Sequence, residues 1–208
     1  MDRKYRVIPI FLVLFVVLTF STRNNYASTF DLLGRGWNQS TVTVMIQDEN
    51  YIFDDVIENI EEALNDWNDA LLEVEGGPVL TLVSGEKRAD IVIVIENEDG
   101  EILGQTLTRS IGRRGSVLMS AVIRLNGEIF GKEFSGAGIR NVARHEFGHA
   151  LGLGHSDDPS DLMYPVFECP DVFDDYDVMI SDYDVDGLDA IYPLHKRFPL
   201  PDVLFWEE

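Results

Sequence analysis

Apolar and polar residues alternate along residues 37–47, with Val42, Val44 and Ile46 on one side, and this period of two predicts a strand. Over residues 54–72 the period lengthens. Ile60, Ala63, Leu64, Trp67 and Leu71 recur at helical spacing while Glu58, Glu61, Glu62 and Asp66 face the other way, which predicts an amphipathic helix. Gly76, Gly77 and Pro78 then turn the chain into a second strand over 79–83. The run Ile91-Val-Ile-Val-Ile95 within 89–96 is apolar on both sides of the pleat, as in a strand at the centre of a sheet. Residues 102–109 and 116–125 are two further strand candidates. A second helix is expected to begin near 135–139 and end at Leu151, with Ala143, Phe147, Ala150 and Leu151 facing the core. A third is expected over 181–192, capped at Ser181. This order predicts an α/β domain of the α+β type, a mixed sheet with helices packed on it.

Residues 1–27 read differently. Arg3, Lys4 and Arg6 precede an apolar run over 7–20, and the small residues Ala27 and Ser28 follow, the layout of an export segment. The run has 14 residues, fewer than the roughly 20 that cross a bilayer, which favours a cleaved signal peptide over an N-terminal membrane anchor. Asn25, where a small residue is preferred before a cut after Ala27, speaks for the anchor. Either way the mature protein is expected outside the cytoplasm, secreted or held on the outer face of the membrane by residues 7–20. The expected plan is therefore 1–27 export segment, 28–193 catalytic domain and 194–208 tail of unknown role.

Length and composition add bounds. A chain of 208 residues with 45% hydrophobic content supports one core, and no internal repeat is visible. A net charge of -21 argues against nucleic acid as a partner, because phosphates would be repelled, and against anionic headgroups. Membrane contact is expected only if the N-terminal segment is retained. Cys169 is the single cysteine, so no internal disulfide forms. Nothing in the chain calls for more than a monomer.

The chemistry is concentrated in His145-Glu-Phe-Gly-His149-Ala-Leu-Gly-Leu-Gly-His155-Ser156. Histidines four apart on a helix share a face, so His145 and His149 can address one ion. Glu146 directly follows the first ligand, beside the metal but outside its coordination sphere, the place of a general base. Gly152 can take the left-handed conformation that ends a helix, and the turn brings His155 back as a third ligand. Three protein ligands and an open fourth position describe a catalytic zinc site.

This extended motif resembles that of the metzincin zinc endopeptidases, and Ser156 after the third histidine resembles their matrixin branch. The resemblance covers residues 36–193. It implies a metzincin-like fold, with a mixed twisted five-stranded sheet, an edge strand over the cleft, an active-site helix and a C-terminal helix. It implies a Met-turn at Met163, eight residues beyond His155, beneath the metal and not ligating it; alone, Met163 reads equally as a core methionine. Leu103-Gly104-Gln105-Thr106 falls at the family's edge strand, whose backbone groups near Gly104, Gln105 and Thr106 would align an extended peptide. The alternative is that residues 109–115 cover that edge. The loop 164–170, with Tyr164, Pro165 and Val166, would form the opposite wall of the pocket after the scissile bond. Asn141, one turn before His145, either lines that pocket or is an exposed helix residue.

The implied function is a zinc-dependent endopeptidase that hydrolyses peptide bonds of extracellular proteins or peptides, with a zinc-activated water and Glu146 as general base. The competing reading is a catalytically inactive, zinc-binding, exported interaction module. One catalytic zinc is expected. Outside the triad only His195 remains, too few for the family's second, histidine-rich zinc site. No cysteine precedes the motif and Cys169 lies on its wrong side, so a short form without a cysteine-switch propeptide is implied. Calcium is a further candidate at the acidic stretch 97–101, although no EF-hand spacing occurs.

Overall fold

The computed structural model describes residues 12–14, 33, 35–47, 54–85, 88–96, 102–112, 116–129, 132–168 and 175–197. Most of the expected export segment, the candidate calcium stretch 97–101 and Cys169 lie outside these residues. Among those described, no helix is long and apolar enough to cross a membrane. The elements are β1 (Leu12–Leu14), β2 (Gly36–Trp37), β3 (Thr41–Gln47), α1 (Asp54–Leu71), β4 (Val79–Leu82), β5 (Ile91–Glu96), β6 (Gly104–Ile111), β7 (Val117–Asn126), β8 (Glu128–Ile129), β9 (Lys132–Glu133), α2 (Gly136–Leu151), β10 (Val166–Glu168) and α3 (Asp182–Arg197).

The main sheet has the order β2-β7-β5-β3-β4, all parallel, with β6 antiparallel on the other edge of β7. It has six strands where five were expected, because the first predicted strand is two. Asn38, Gln39 and Ser40 bend, so Trp37 pairs with Leu118 while Thr41 pairs with Val79. The short pairs β1–β10 and β8–β9 stand apart from this sheet. β5 is central, as its apolar run predicts. Yet only Ile91, Ile93 and Ile95 are fully buried, while Val92 and Val94 are half-buried, so the sheet has one dry face. That face packs on α1 and α2, joining Val42, Val44 and Ile123 to Ile60, Ala63, Trp67 and Phe147. Each of these valine and isoleucine side chains contributes about 1.5–3 kcal/mol by leaving water.

The third helix extends beyond its expected end at Tyr192 to Arg197 and so runs through Pro193. A proline removes one backbone hydrogen bond from a helix, and here that loss does not stop the last turn. The start is capped as expected: Asp184 N donates to Ser181 Oγ (3.2 Å) and Ser181 N to Asp184 Oδ2 (2.9 Å). The capping carboxylate is almost completely buried, at 1% exposure, and Ser181 Oγ also lies 3.2 Å from Asp161 Oδ2. Burial first, and then the neighbouring Asp161 charge, push Asp184 up to about 7 from 3.8, against the opposing hydrogen bonds from Ser181. A folded value above the unfolded one stabilises fully below the unfolded value and is lost as pH rises through the folded one. Asp184→Asn, which mimics the neutral acid, is therefore expected to flatten the fall in Tm between about pH 4 and about pH 7. An unchanged Tm slope across that range in thermal melts would refute this reading of Asp184.

Candidate active site

Helix α2 is capped by Ser135, whose hydroxyl accepts from Gly138 N at 2.9 Å, and every residue from Asn141 to Leu151 is buried. Its far end holds the turn the motif requires. Gly152 adopts φ 114°, and its N–H reaches Gly148 O and His149 O, both at 3.1 Å, while Leu153 N reaches Gly148 O at 2.9 Å. The next orphan carbonyls are met from distant parts of the chain: Trp37 Nε1 donates to Ala150 O and Tyr192 OH to Leu151 O, each at 2.9 Å. Sequence reasoning assigned neither aromatic residue this task.

Beyond the turn the chain folds back along α2. Ser156 N donates to Met163 O (2.8 Å), and Asp161 Oδ1 accepts from Met163 N (2.9 Å). Met163 is buried at 2% and lies against Gly148, where a Cβ would meet its sulfur at 2.5 Å. Gly148 leaves room for the methionine against the helix turn between His145 and His149.

His145, His149 and His155 converge, each offering one ligand atom within 4.8 Å of the others. His145 and His149 are fully buried, and the third side chain is on the more open side. Two carbonyls set the tautomers: His145 Nδ1 donates to Leu162 O (2.7 Å) and His149 Nδ1 to Leu153 O (2.9 Å). That assignment leaves both Nε2 atoms as lone pairs, 3.0 Å apart. Burial, reinforced by the neighbouring histidines, holds His145 well below its ordinary value and His149 down at about 3. Neutral, pre-oriented imidazoles with facing lone pairs are what a cation needs, so the donor set fits zinc.

The Glu146 carboxylate sits in a slot formed with β6. Its Oε2 accepts from Thr106 Oγ1 at 2.6 Å, and the same hydroxyl lies 3.0 Å from Glu146 O. Its Oε1 is buried without a hydrogen-bond partner among the described residues. Burial pushes this carboxyl up to about 8, opposed by the Thr106 hydrogen bond. A dication among the histidines favours the carboxylate and works against that rise.

The remaining expected positions fall as follows. Gly104 and Thr106 face α2 and are buried, while Gln105 between them faces the other side and is half-buried. β6 pairs only with β7 among the described residues, and it runs on to Ile111, so residues 109–111 are strand and not a covering loop. Tyr164 and Pro165 follow the Met163 turn and are half-buried, and Val166 opens β10.

Of the two expectations for Asn141, the exposed helix residue is the one the structure overturns. Asn141 is 2% exposed, so it is no surface residue, and its amide is spent internally. Nδ2 donates to Tyr176 O (2.7 Å), and Oδ1 accepts from Val178 N (2.8 Å) and Arg144 Nη1 (3.1 Å). Arg144, 3% exposed, joins this bracket through Asp177 at 2.8 Å and Asp66 at 2.7 Å. Arg140 adds contacts to Asp177, Asn59 and Glu62. The pair of arginines holds Asp177 down at about 2, Arg140 through the larger effect. This network fastens the segment before α3 to α1 and α2. The sequence shows two arginines on a helix and acidic residues far away, and no local pattern joins them.

A family model for the matrixins matches residues 36–193. Human matrix metalloproteinase-20 is 30% identical over 174 residues, 78% of this chain and 33% of that protein. Bovine interstitial collagenase is 31% identical over 170 residues, 75% of this chain and 32% of that protein. Human matrix metalloproteinase-25 is 46% identical over a shorter stretch of 68 residues, 33% of this chain and 12% of that protein. The chain thus spans about a third of the length of the first two relatives.

Proposed function

The chain belongs to the matrixin family of zinc metallopeptidases, and from that membership we propose that it is an active endopeptidase, cleaving proteins or peptides outside the cytoplasm. One observation carries the reading. Glu146, next in sequence to a metal-ligating histidine, is completely buried and keeps one carboxylate oxygen without a partner among the described residues. A burden of that kind is costly to a fold, and a domain that merely clasped zinc would have no use for it.

Zinc held by His145, His149 and His155 supplies Lewis acidity, which polarises a scissile carbonyl and makes a water easier to deprotonate. The protein's own part is proton transfer and alignment. Glu146 Oε1 accepts the water's proton and later returns it to the leaving amine. Backbone groups of Gly104, Gln105 and Thr106 on β6 hold the substrate extended, with Tyr164, Pro165 and Val166 as the opposite wall. Asn141 serves the pocket after the scissile bond by fixing the segment at 176–178. Export through the apolar run 7–20 is the proposed route to such substrates.

The test uses the full chain and an unstructured protein substrate. Cleavage is expected with one zinc bound per chain, to stop with a chelator and to return with added zinc. A protein that binds one zinc and cleaves neither this substrate nor a quenched-fluorescent peptide library is the binding module instead.

A further inference from the structure

We propose that Thr106 is the positioning residue for Glu146, its hydroxyl fixing one carboxylate oxygen so that the other is left for chemistry; this rests on the peptidase reading above. Thr106 Oγ1 stands 2.6 Å from Oε2 and 3.0 Å from the backbone carbonyl of Glu146. A hydroxyl has one proton and free rotation about one bond. A threonine on a strand, however, is stiff at χ1, and at 1% exposure this one has little room to turn. Its oxygen is therefore a fixed point against which the carboxylate sets its angle.

The neighbouring inward position completes the slot. Gly104 lies two residues earlier on the same face of β6, and a Cβ there would stand 2.7 Å from Oε1, 2.8 Å from Glu146 Cγ and 2.9 Å from Val142 Cγ1. The absent side chain is thus the space that Oε1 occupies. Glu146 is gripped through Oε2 by a hydroxyl and admitted at Oε1 by a glycine. Both come from one strand, whose other edge carries no partner strand among the described residues. Two of the three residues that would align a substrate backbone, Gly104 and Thr106, thereby set the angle of the base. Reaction geometry of this kind tolerates displacements of only about half an ångström.

The test pairs Thr106→Val, which removes the hydroxyl at nearly constant shape, with Thr106→Ser, which keeps it. With one zinc bound in each, Thr106→Val is expected to lower kcat at least about 10-fold with KM within about twofold. Thr106→Ser is expected to stay within about threefold of wild type. A second readout needs no activity: thermal unfolding of the zinc-free chain, Thr106→Val, Glu146→Ala and the double variant. If the two side chains interact, Thr106→Val costs less in the Glu146→Ala background than in wild type. Unchanged kcat in Thr106→Val, a loss confined to KM, a loss that serine does not repair, or additive unfolding shifts each overturn the proposal. A zinc-loaded wild type that cleaves nothing defeats the peptidase reading and the catalytic part of this role together. The unfolding cycle then still decides whether the two side chains are coupled.

Discussion

Glu146→Gln is expected to lower kcat by about 10²–10⁴ while zinc content stays at one per chain. Glutamine keeps the length and shape of the side chain and can still accept from Thr106 Oγ1 through its amide oxygen. What it cannot do is take up a proton. The usual objection is that a loss of activity reports damage to the fold, and here the electrostatics answer it. Burial pushes Glu146 up to about 8 in the metal-free protein, above its ordinary 4.5. By linkage, such a group stabilises fully below 4.5, and that contribution is lost as pH rises through about 8. Charging it at alkaline pH therefore weighs on the metal-free fold, and a glutamine escapes that weight. The metal-free variant is expected to melt no lower than wild type at about pH 8 and above. Retention of more than about half of the wild-type kcat would remove Glu146 from the proton path, whatever the melting curves show.

Which parts of the site the sequence declares depends on how far apart along the chain the interacting residues lie. The ligand set is local: His145 and His149 share a helix face, and Gly152 carries the turn to His155, so spacing alone suffices. Helix α1 is legible for the same reason, its buried Ile60, Ala63, Leu64, Trp67 and Leu71 lying on one stripe. Contacts across sheet and helix are not written in any spacing. Thr106 sits 40 positions from Glu146, Trp37 sits 113 from Ala150, and Arg144 is 78 from Asp66. The one available signal at Thr106 is a hydroxyl on the inward side of a strand, two residues from a glycine on the same side. The break in the strand at Asn38, Gln39 and Ser40 escapes sequence reading because alternation counts side-chain direction and is blind to a change of pairing partner. The hydrogen bonds of Asn141 escape it for a related reason. Its helix phase sets its direction correctly, but the segment 176–178 that consumes its amide is brought there by tertiary packing alone.

Gly152→Ala is expected to be the most damaging single substitution at the turn, costing more than about 3 kcal/mol. Two terms add. An L residue held at φ 114° is strained by about 1–3 kcal/mol. The new methyl also stands 2.0 Å from Arg35 O and 3.3 Å from Ile191 Cδ1, an overpacking worth about 1–3 kcal/mol or more. The first clash is with backbone, which cannot swing aside. Arg35 lies two residues before Trp37, whose indole caps Ala150 O, and Leu33 N donates to Gly152 O at 3.2 Å. Any retreat of the 33–37 segment therefore strips carbonyls at the end of α2, the end that carries His149. For a chain of this length about 3 kcal/mol corresponds to a fall in Tm of roughly 6–12 °C. Gly85→Ala is the internal control, because Gly85 is also left-handed at φ 70° but a methyl added there would have nothing within 4 Å. That substitution bears only the conformational strain and should leave zinc binding untouched. Gly152→Ala should lose zinc affinity as well, since this turn brings the chain from His149 back to His155. Equal melting temperatures for the two alanine variants, with equal zinc affinity by titration, would show that the turn relaxes freely and that the third ligand does not depend on it.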